Sequence, residues 1–180
     1  MGKHVSRRGF LRTTLAAAGA VYVLGDARLA RGYQANQKLN VALIGVGGRG
    51  TWFVDTMPKM ANVVALCDVN DQKLAEAFKR WADLGTKWEK SPDSWEQKAA
   101  EEYRRPGLVL TQTAVLLRMF DQSSRQIDAV VVATPDHTHA TAAAAAMHAG
   151  KGVFCEKPLT RTVHESRALR DLARKQKVAT

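Results

Sequence analysis

The segment VALIGVGGRG, Val41 to Gly50, constrains the fold more strongly than any other part of this 180-residue sequence. An uninterrupted apolar run breaks into glycines at positions 45, 47, 48 and 50. Apolar runs of this kind are typical of parallel strands that are covered on both faces. The glycines have the spacing G-x-G-x-x-G, which is informative only when a strand precedes it and a helix follows it.

Strands and helices are predicted to alternate after this segment. Predicted strands cover residues 39–45, 62–67, 108–110, 127–134 and 152–155, and predicted helices cover residues 49–57, 71–84, 94–105, 113–121, 138–149 and 163–175. The alternation favours a three-layer α/β fold, a Rossmann-like doubly wound parallel sheet with strand order 3-2-1-4-5. We expect Pro58 to end the first helix, and Thr162 and Glu165 to form a capping box before the last one.

The glycine motif therefore has the context that a dinucleotide site requires. Gly45 allows a tight turn, Gly47 lets the backbone approach a pyrophosphate, and Gly50 lets the helix pack closely on the strand. The following helix N-terminus favours an anion through its free N–H groups and its dipole.

An acidic residue is expected at the end of the second strand of such a site. Asp68 lies there, 18 residues after Gly50, and its carboxylate can accept both ribose hydroxyls of an adenosine. The same carboxylate would repel a 2′-phosphate, so the sequence favours NAD over NADP. The alternative is that Asp68 is a turn or helix-capping residue.

Two more polar segments are predicted at the carboxyl ends of strands, where open α/β sheets bind ligands. They are ATPDHTH, residues 133–139, and CEKP, residues 155–158. Lys157 can hydrogen-bond a substrate hydroxyl or polarise a carbonyl there, the alternative being a simple surface lysine. No third ligand accompanies His137 and His139, so we predict no metal site and place His137 in a solvated loop.

The two cysteines, Cys67 and Cys155, fall on the second and fifth predicted strands. In the predicted strand order three strand spacings separate them, roughly 14 Å. A disulfide requires Cα atoms within about 7 Å. We therefore predict two unpaired thiols.

The motifs GVGGRG, CDVN, ATPDHTHA and CEKPLT together resemble the N-terminal half of the Gfo/Idh/MocA oxidoreductases, over about Lys38 to Thr180. The resemblance implies that Lys157, within an EKP motif, touches both cofactor and substrate and is the catalytic residue. It also implies a glycine turn on the pyrophosphate, Asp68 on the adenosine ribose, and a nicotinamide end lined by Thr134, Pro135 and His139. The implied cofactor-binding residues are Gly45, Gly47, Gly48, Arg49, Gly50, Asp68, Thr134, Pro135, His139, Glu156, Lys157 and Pro158.

The resemblance further implies an NAD-dependent oxidoreductase that passes hydride between nicotinamide and a sugar or polyol. Family members carry a second, C-terminal α/β domain that holds most of the substrate pocket and the contacts of a homo-oligomer. We expect that domain to be missing here, so that residues 38–180 form a truncated NAD(P)-binding domain that is inactive alone. Two alternatives stay open: an NAD-dependent glycoside hydrolase, a branch that tends to lose the EKP lysine, and a stand-alone dinucleotide-binding module.

Residues 1–30 have the pattern of an export signal. Paired arginines at Arg7 and Arg8 precede an apolar run at 15–24, which is too short to cross a bilayer. Ser6 to Leu11 resembles a twin-arginine motif, which implies contact with the twin-arginine machinery, a periplasmic or otherwise exported protein, and no stable membrane span after processing. The alternatives are a buried N-terminal helix and a chance pair of arginines.

The formal net charge of +10 raises the question of a nucleic-acid partner. The basic residues are scattered along the chain and do not interleave with aromatic residues in a stripe. We therefore predict no nucleic-acid surface.

Overall fold

The computed structural model of the protein describes residues 38–103, 111–113 and 116–180. The export signal predicted at 1–30 and the strand predicted at 108–110 lie outside the described residues. Within the described ranges, no helix combines the length and the apolar character needed to cross a membrane.

A five-stranded parallel sheet forms the middle layer. Its strands are β1 (Asn40–Ile44), β2 (Asn62–Cys67), β3 (Thr111–Thr113), β4 (Ala129–Val132) and β5 (Gly152–Cys155). The order across the sheet is β3-β2-β1-β4-β5, and every neighbouring pair is parallel. The predicted doubly wound order is confirmed.

Helices cover both faces of this sheet. In the described ranges they are α1 (Arg49–Met60), α2 (Asp71–Glu89), α3 (Ser94–Tyr103), α4 (Leu116–Ser123), α5 (Asp136–His148) and α6 (Val163–Gln176). Alternate residues of β1 enter two separate hydrophobic clusters. Val41 and Leu43 pack with side chains of α1 and α2, whereas Ala42 and Ile44 pack with side chains of α4, α5 and α6. Burial on both faces explains why this strand reads as a continuous apolar run.

The first two helices are longer than the sequence predicts. Pro58 lies inside α1, which continues to Met60, so the predicted end of the helix is wrong. The ring removes one helical hydrogen bond, and its burial offsets part of that cost. α2 continues past Leu84 to Glu89. Its extra turn buries Trp88 against Ala99 and Ala100 of α3, and this tertiary packing outweighs the polar local sequence.

Two boundaries in the second half also differ from prediction. Thr113 pairs with Cys67 as the last residue of β3, so the helix predicted at 113–121 begins only at Leu116. α5 begins at Asp136 rather than Thr138, with Pro135 as its N-cap. His137 therefore lies in the first turn of a helix, and the predicted loop position is wrong.

Local helix caps follow the sequence pattern. The Asn70 side chain accepts hydrogen bonds from two backbone N–H groups of α2. The Thr162 hydroxyl accepts from the Glu165 N–H at 3.2 Å, and the Glu165 carboxylate accepts from the Thr162 N–H at 2.9 Å. The predicted capping box is confirmed and fixes the start of α6.

The strand register brings four strand ends to one edge of the sheet. Ile44, the last residue of β1, pairs with Cys67 on one side and Val132 on the other. Val132 in turn pairs with Cys155. The glycine turn, the aspartate after β2 and the polar segments after β4 and β5 therefore leave the sheet at the same level.

Both cysteines are free thiols, as predicted. Cys67 is buried on β2 and Cys155 is partly buried on β5, with β1 and β4 between them. Burial is the main cause that raises the pKa of each thiol to about 11, and the neighbouring carboxylates of Asp68 and Glu156 add to the shift.

We expect both thiols to react slowly with iodoacetamide in the native protein. A pKa of about 11 in place of the ordinary value lowers the thiolate population near pH 8 by about 100-fold. The alkylation rate, followed by mass spectrometry, should keep rising with pH toward 11. Because the folded protein holds these protons more tightly than the unfolded chain, the stability they contribute is complete below pH 9 and is lost as pH rises toward 11.

A rate that levels off near pH 9 would contradict the raised pKa values. A mass increase of two hydrogens on reduction would contradict the free thiols themselves.

Candidate functional site

The glycine turn is pressed against backbone on two sides. Gly45 has φ +81°, and a Cβ on it would lie 2.8 Å from the backbone of Ala133 and Thr134. A Cβ on Gly50 would lie 1.9 Å from the Gly45 carbonyl oxygen. The two glycines thus let the exit of β1 contact both the exit of β4 and the first turn of α1.

The N-terminus of α1 opens toward this turn. Gly48 is the N-cap residue and supplies no side-chain hydrogen bond to the helix. N–H groups at such a helix start are suited to bind an anion, together with the positive end of the helix dipole.

Asp68 ties the end of β2 to the glycine turn. Its Oδ2 accepts hydrogen bonds from the N–H groups of Val46 at 2.9 Å and Gly47 at 3.3 Å, and its Oδ1 accepts from the Asn70 N–H at 2.9 Å. The carboxylate therefore lies at the mouth of the turn, held by backbone donors. Its predicted contact with an adenosine ribose stays a prediction.

Lys73 is a residue of this region that the sequence reasoning missed. It lies in the first turn of α2, and its side chain comes within 3.3 Å of where a Cβ on Gly47 would be. Its Nζ donates to Glu76 at 2.8 Å. The sequence carries a signal for this position. Lys73 follows the Asn70 cap by three residues, which places it in the first helical turn, and that turn faces the end of β2.

These residues line a cleft of about 740 Å³ at the carboxyl edge of the sheet. The cleft is lined by the segments that follow β1, β2 and β4 and by residues near the starts of α1, α2 and α5. The lining residues are Ile44, Gly45, Gly47, Gly48, Arg49, Cys67, Asp68, Val69, Lys73, Leu116, Ala133, Thr134, Pro135, His137, Thr138, Thr141 and Ala142.

A second cavity of about 530 Å³ lies beside the end of β5. It is lined by Arg49, Ala133, Thr134, Asp136, His139, Glu156 and Lys157. Arg49, Ala133 and Thr134 line both cavities, so the two sets of predicted residues meet at these positions.

His139 is buried, with 2% of its surface exposed. Its Nδ1 lies 2.6 Å from the carbonyl oxygen of Pro158, and its Nε2 lies 2.7 Å from the carbonyl oxygen of Thr134. The ring therefore joins the exit of β4 to the segment after β5. Its predicted contribution to the nicotinamide end stays a prediction.

The Thr134 hydroxyl is a buried oxygen without a hydrogen-bond partner in the described part of the chain. Buried polar atoms are rarely left unpaired in proteins. An orphaned hydroxyl on the wall shared by both cavities, beside a glycine turn that leaves room for close backbone approach, fits a bound dinucleotide.

The Arg49 side chain spans from the glycine turn to the EKP segment. Its Nε donates to Glu156 Oε1 at 2.8 Å. This hydrogen bond is the main cause that lowers the pKa of the Glu156 carboxyl. Glu156 is therefore ionised at neutral pH and holds the arginine next to Lys157.

The structure brings most of the predicted residues to the two cavities. Gly50 and Pro158 do not line either one: Gly50 is buried under the turn, and Pro158 contributes a carbonyl to His139. In the ranges that the structure describes, no cluster of three or more His, Cys, Asp or Glu side chains could hold a metal ion.

A doubly wound parallel sheet whose glycine turn opens into a cleft at the carboxyl edge defines a dinucleotide-binding α/β protein. The family model for oxidoreductases with an NAD-binding Rossmann fold, GFO_IDH_MocA, matches residues 39–180. The chain belongs to this family.

Named relatives include both dehydrogenases and hydrolases. A glycosyl hydrolase family 109 protein of Shewanella amazonensis is 30% identical over 94% of this chain and 37% of its own length. An inositol 2-dehydrogenase of Rhodococcus erythropolis is 34% identical over 74% of this chain and 32% of its own. The chain thus spans about a third of the length of these relatives.

Solved structures share the fold. The WlbA dehydrogenase from Bordetella pertussis, solved in complex with NADH and UDP-GlcNAcA, has a TM-score of 0.59 at 20% identity. The match covers 79% of this chain and 36% of that one.

The glycine contacts predict that two alanine substitutions differ sharply in cost. Gly50→Ala places a Cβ 1.9 Å from a carbonyl oxygen, so we expect a loss of about 4 kcal/mol or more in the free energy of unfolding. Gly48→Ala has open space, but φ +52° and ψ −117° lie outside the left-handed helical region, a conformation that costs a residue with a side chain about 1–3 kcal/mol. Urea denaturation followed by circular dichroism measures both, and equal costs would show that the Gly45–Gly50 approach is not tight.

Proposed function

We propose that this protein binds NAD in the cleft at the glycine turn and, as an enzyme, transfers hydride between nicotinamide and a sugar or polyol. The observation that carries the proposal is the position of Asp68. Its carboxylate is fixed at the mouth of the turn by the N–H groups of Val46 and Gly47, where an adenosine ribose would meet a hydrogen-bond acceptor.

The preference for NAD over NADP follows from the charge at this position. A carboxylate can accept hydrogen bonds from ribose hydroxyls but repels a 2′-phosphate. The Lys73 ammonium lies nearby but is paired with Glu76. The balance of charge therefore favours the ligand without the extra phosphate.

In this proposal each part of the site has a separate role. The glycine turn and the α1 N-terminus hold the pyrophosphate, Asp68 holds the ribose, and the free Thr134 hydroxyl offers a hydrogen bond inside the cleft. Bound NAD supplies hydride acceptance or donation at its nicotinamide ring. The Lys157 side chain can accept the hydroxyl proton when an alcohol is oxidised, and can donate a proton to the carbonyl oxygen when the reaction runs in reverse.

The substrate class is supported by relatives. An inositol 2-dehydrogenase and a levoglucosan dehydrogenase, 34% and 30% identical, are named for a polyol and an anhydrosugar. The Lys157 pocket, with Asp136 and Glu156 in its wall, offers the acceptors and the donor that hydroxyl-rich ligands need.

Glycoside cleavage with transient use of NAD is the second candidate. The relatives named as family 109 glycosyl hydrolases favour it. The presence of Lys157 opposes it, because that branch tends to lose the EKP lysine. A stand-alone dinucleotide-binding module, the third candidate, would bind NAD in the same cleft without turnover.

Two activity assays on the protein purified from its native organism, one for NADH formation and one for nitrophenol release, distinguish these three candidate functions. Oxidation predicts a rise in absorbance at the NADH maximum with polyols, and no release of nitrophenol from aryl glycosides. Nitrophenol release without net NADH formation would identify the hydrolase, and neither signal would favour the module.

Asp68→Asn tests the cofactor assignment. The amide keeps the size of the side chain but removes the charge, so we expect NADH affinity to fall about 10-fold or more and the discrimination against NADPH to shrink. Fluorescence titration with NADH and NADPH measures both. Asp71→Asn is the matched control, because this exposed aspartate lies three residues away in the first turn of α2.

Unchanged NADH affinity in Asp68→Asn would remove the ribose assignment. Tighter binding of NADPH than of NADH by the unmodified protein would contradict the proposed preference.

We further propose that residues 1–30 are a twin-arginine export signal and that the protein acts in the periplasm. The support is the order of paired arginines, apolar run and small residues in the sequence. Replacing both Arg7 and Arg8 by lysine should keep a fused reporter inside the cell. Export that is indifferent to this change but lost on deleting 15–24 would indicate a different export route.

A further inference from the structure

Arg49 occupies the boundary between the two cavities of the site. It is the first residue of α1 and lines both the cleft at the glycine turn and the cavity of Lys157. A side chain in this place can transmit the position of the turn to the segment that carries the lysine.

The contact runs through both oxygens of Glu156. Oε1 accepts from Arg49 Nε at 2.8 Å, and Oε2 accepts from the backbone N–H of Lys157 at 3.2 Å. The Glu156 backbone N–H also donates to Val132 at 2.9 Å. The carboxylate is thus held between the start of α1 and the backbone of Lys157.

Aromatic rings fix the other side of the guanidinium. The Arg49 Cζ lies 4.7 Å from the ring centre of Trp52 and 5.5 Å from that of Phe53. Phe53 packs edge-on against Phe154 of β5, with ring centres 5.8 Å apart. The faces of aromatic rings attract a cation. The Arg49 guanidinium is therefore held by the rings of Trp52 and Phe53 and by the Glu156 carboxylate.

The two partners of this ion pair differ in exposure. The Glu156 side chain is 15% exposed and the Arg49 side chain 58%, so the carboxylate is largely shielded while water reaches the guanidinium. Arg80 and Asp55 also form an ion pair, with Nη2 2.6 Å from Oδ2, but they join the outer parts of α2 and α1. That pair touches neither cavity and serves as a matched comparison.

We propose that Arg49 is a positioning residue for Lys157, acting through the Glu156 carboxylate. The inference rests on the proposed function, which gives Lys157 its role at the nicotinamide end. The ion pair itself is a property of the ligand-free protein. It sets the backbone of Lys157 and thereby aims the ammonium into its cavity.

The first experiment uses the ligand-free protein. Arg49→Met keeps an unbranched apolar side chain but removes every donor, so the Glu156 carboxylate is released. We expect the Lys157 amide to exchange with solvent about threefold faster or more in nuclear magnetic resonance spectra. The Glu156 carboxyl should also titrate closer to its ordinary pKa, because its main hydrogen bond is lost.

Two further variants bracket this result. Arg49→Lys keeps the charge and should restore part of the protection, since an ammonium can still reach a carboxylate. Arg80→Met removes the comparison pair and should leave the Lys157 amide unchanged. Unchanged exchange in Arg49→Met, or an equal change in Arg80→Met, overturns the proposal.

The second experiment compares NADH with ADP, which lacks the nicotinamide half. Glu156→Gln should weaken NADH binding about 5-fold or more and change ADP binding less than twofold. The double variant Arg49→Met/Glu156→Gln should lose no more NADH affinity than Arg49→Met alone, because both residues act through one contact. An equal loss of NADH and ADP binding in Glu156→Gln, or additive losses in the double variant, would contradict the positioning role.

These readouts separate the inference from the proposed function. An unmodified protein that binds neither NADH nor ADP refutes the cofactor assignment. Whether or not the protein binds these ligands, the amide-exchange comparison shows whether the Arg49–Glu156 contact holds the Lys157 backbone.

Discussion

The approach of Gly50 to the Gly45 carbonyl oxygen is the contact on which the rest of the site depends. A Cβ at position 50 would lie 1.9 Å from that oxygen, so only glycine lets α1 begin directly above the end of β1. This start directs the helix N-terminus and the Arg49 side chain across the carboxyl edge of the sheet. Without the close approach, the N–H groups at the turn and the guanidinium would point elsewhere.

Three polar side chains then connect the loops that leave this edge. Asp68 holds the segment after β2 to the glycine turn, His139 joins the exits of β4 and β5, and Glu156 joins the exit of β5 to α1. Each one bonds backbone or side chain of a segment distant in sequence. The loops leave the sheet at the same edge, and these hydrogen bonds hold them together as one continuous surface.

The sheet and the cleft could be predicted from sequence because they depend on local patterns. Apolar runs and glycines identified the strands and the turn, and Asp68 followed from its spacing. The extension of α2 could not be predicted, since burial of Trp88 depends on α3. Nor could the double contact of His139, because it joins the exits of two strands whose separation is set only by the folded chain.

The two cavities of the site differ in how much of each is formed by backbone and how much by side chains. The dinucleotide side consists largely of main-chain geometry, which tolerates little change because glycine contacts are close. The cavity beside β5 depends on a short segment, residues 155–158, whose lysine is exposed. Because this side chain is exposed, we expect a change at it to leave the core of the sheet intact. A protein named as a dehydrogenase and one named as a hydrolase resemble this chain to a similar degree, 34% and 30%, so overall identity does not separate the two proposed activities.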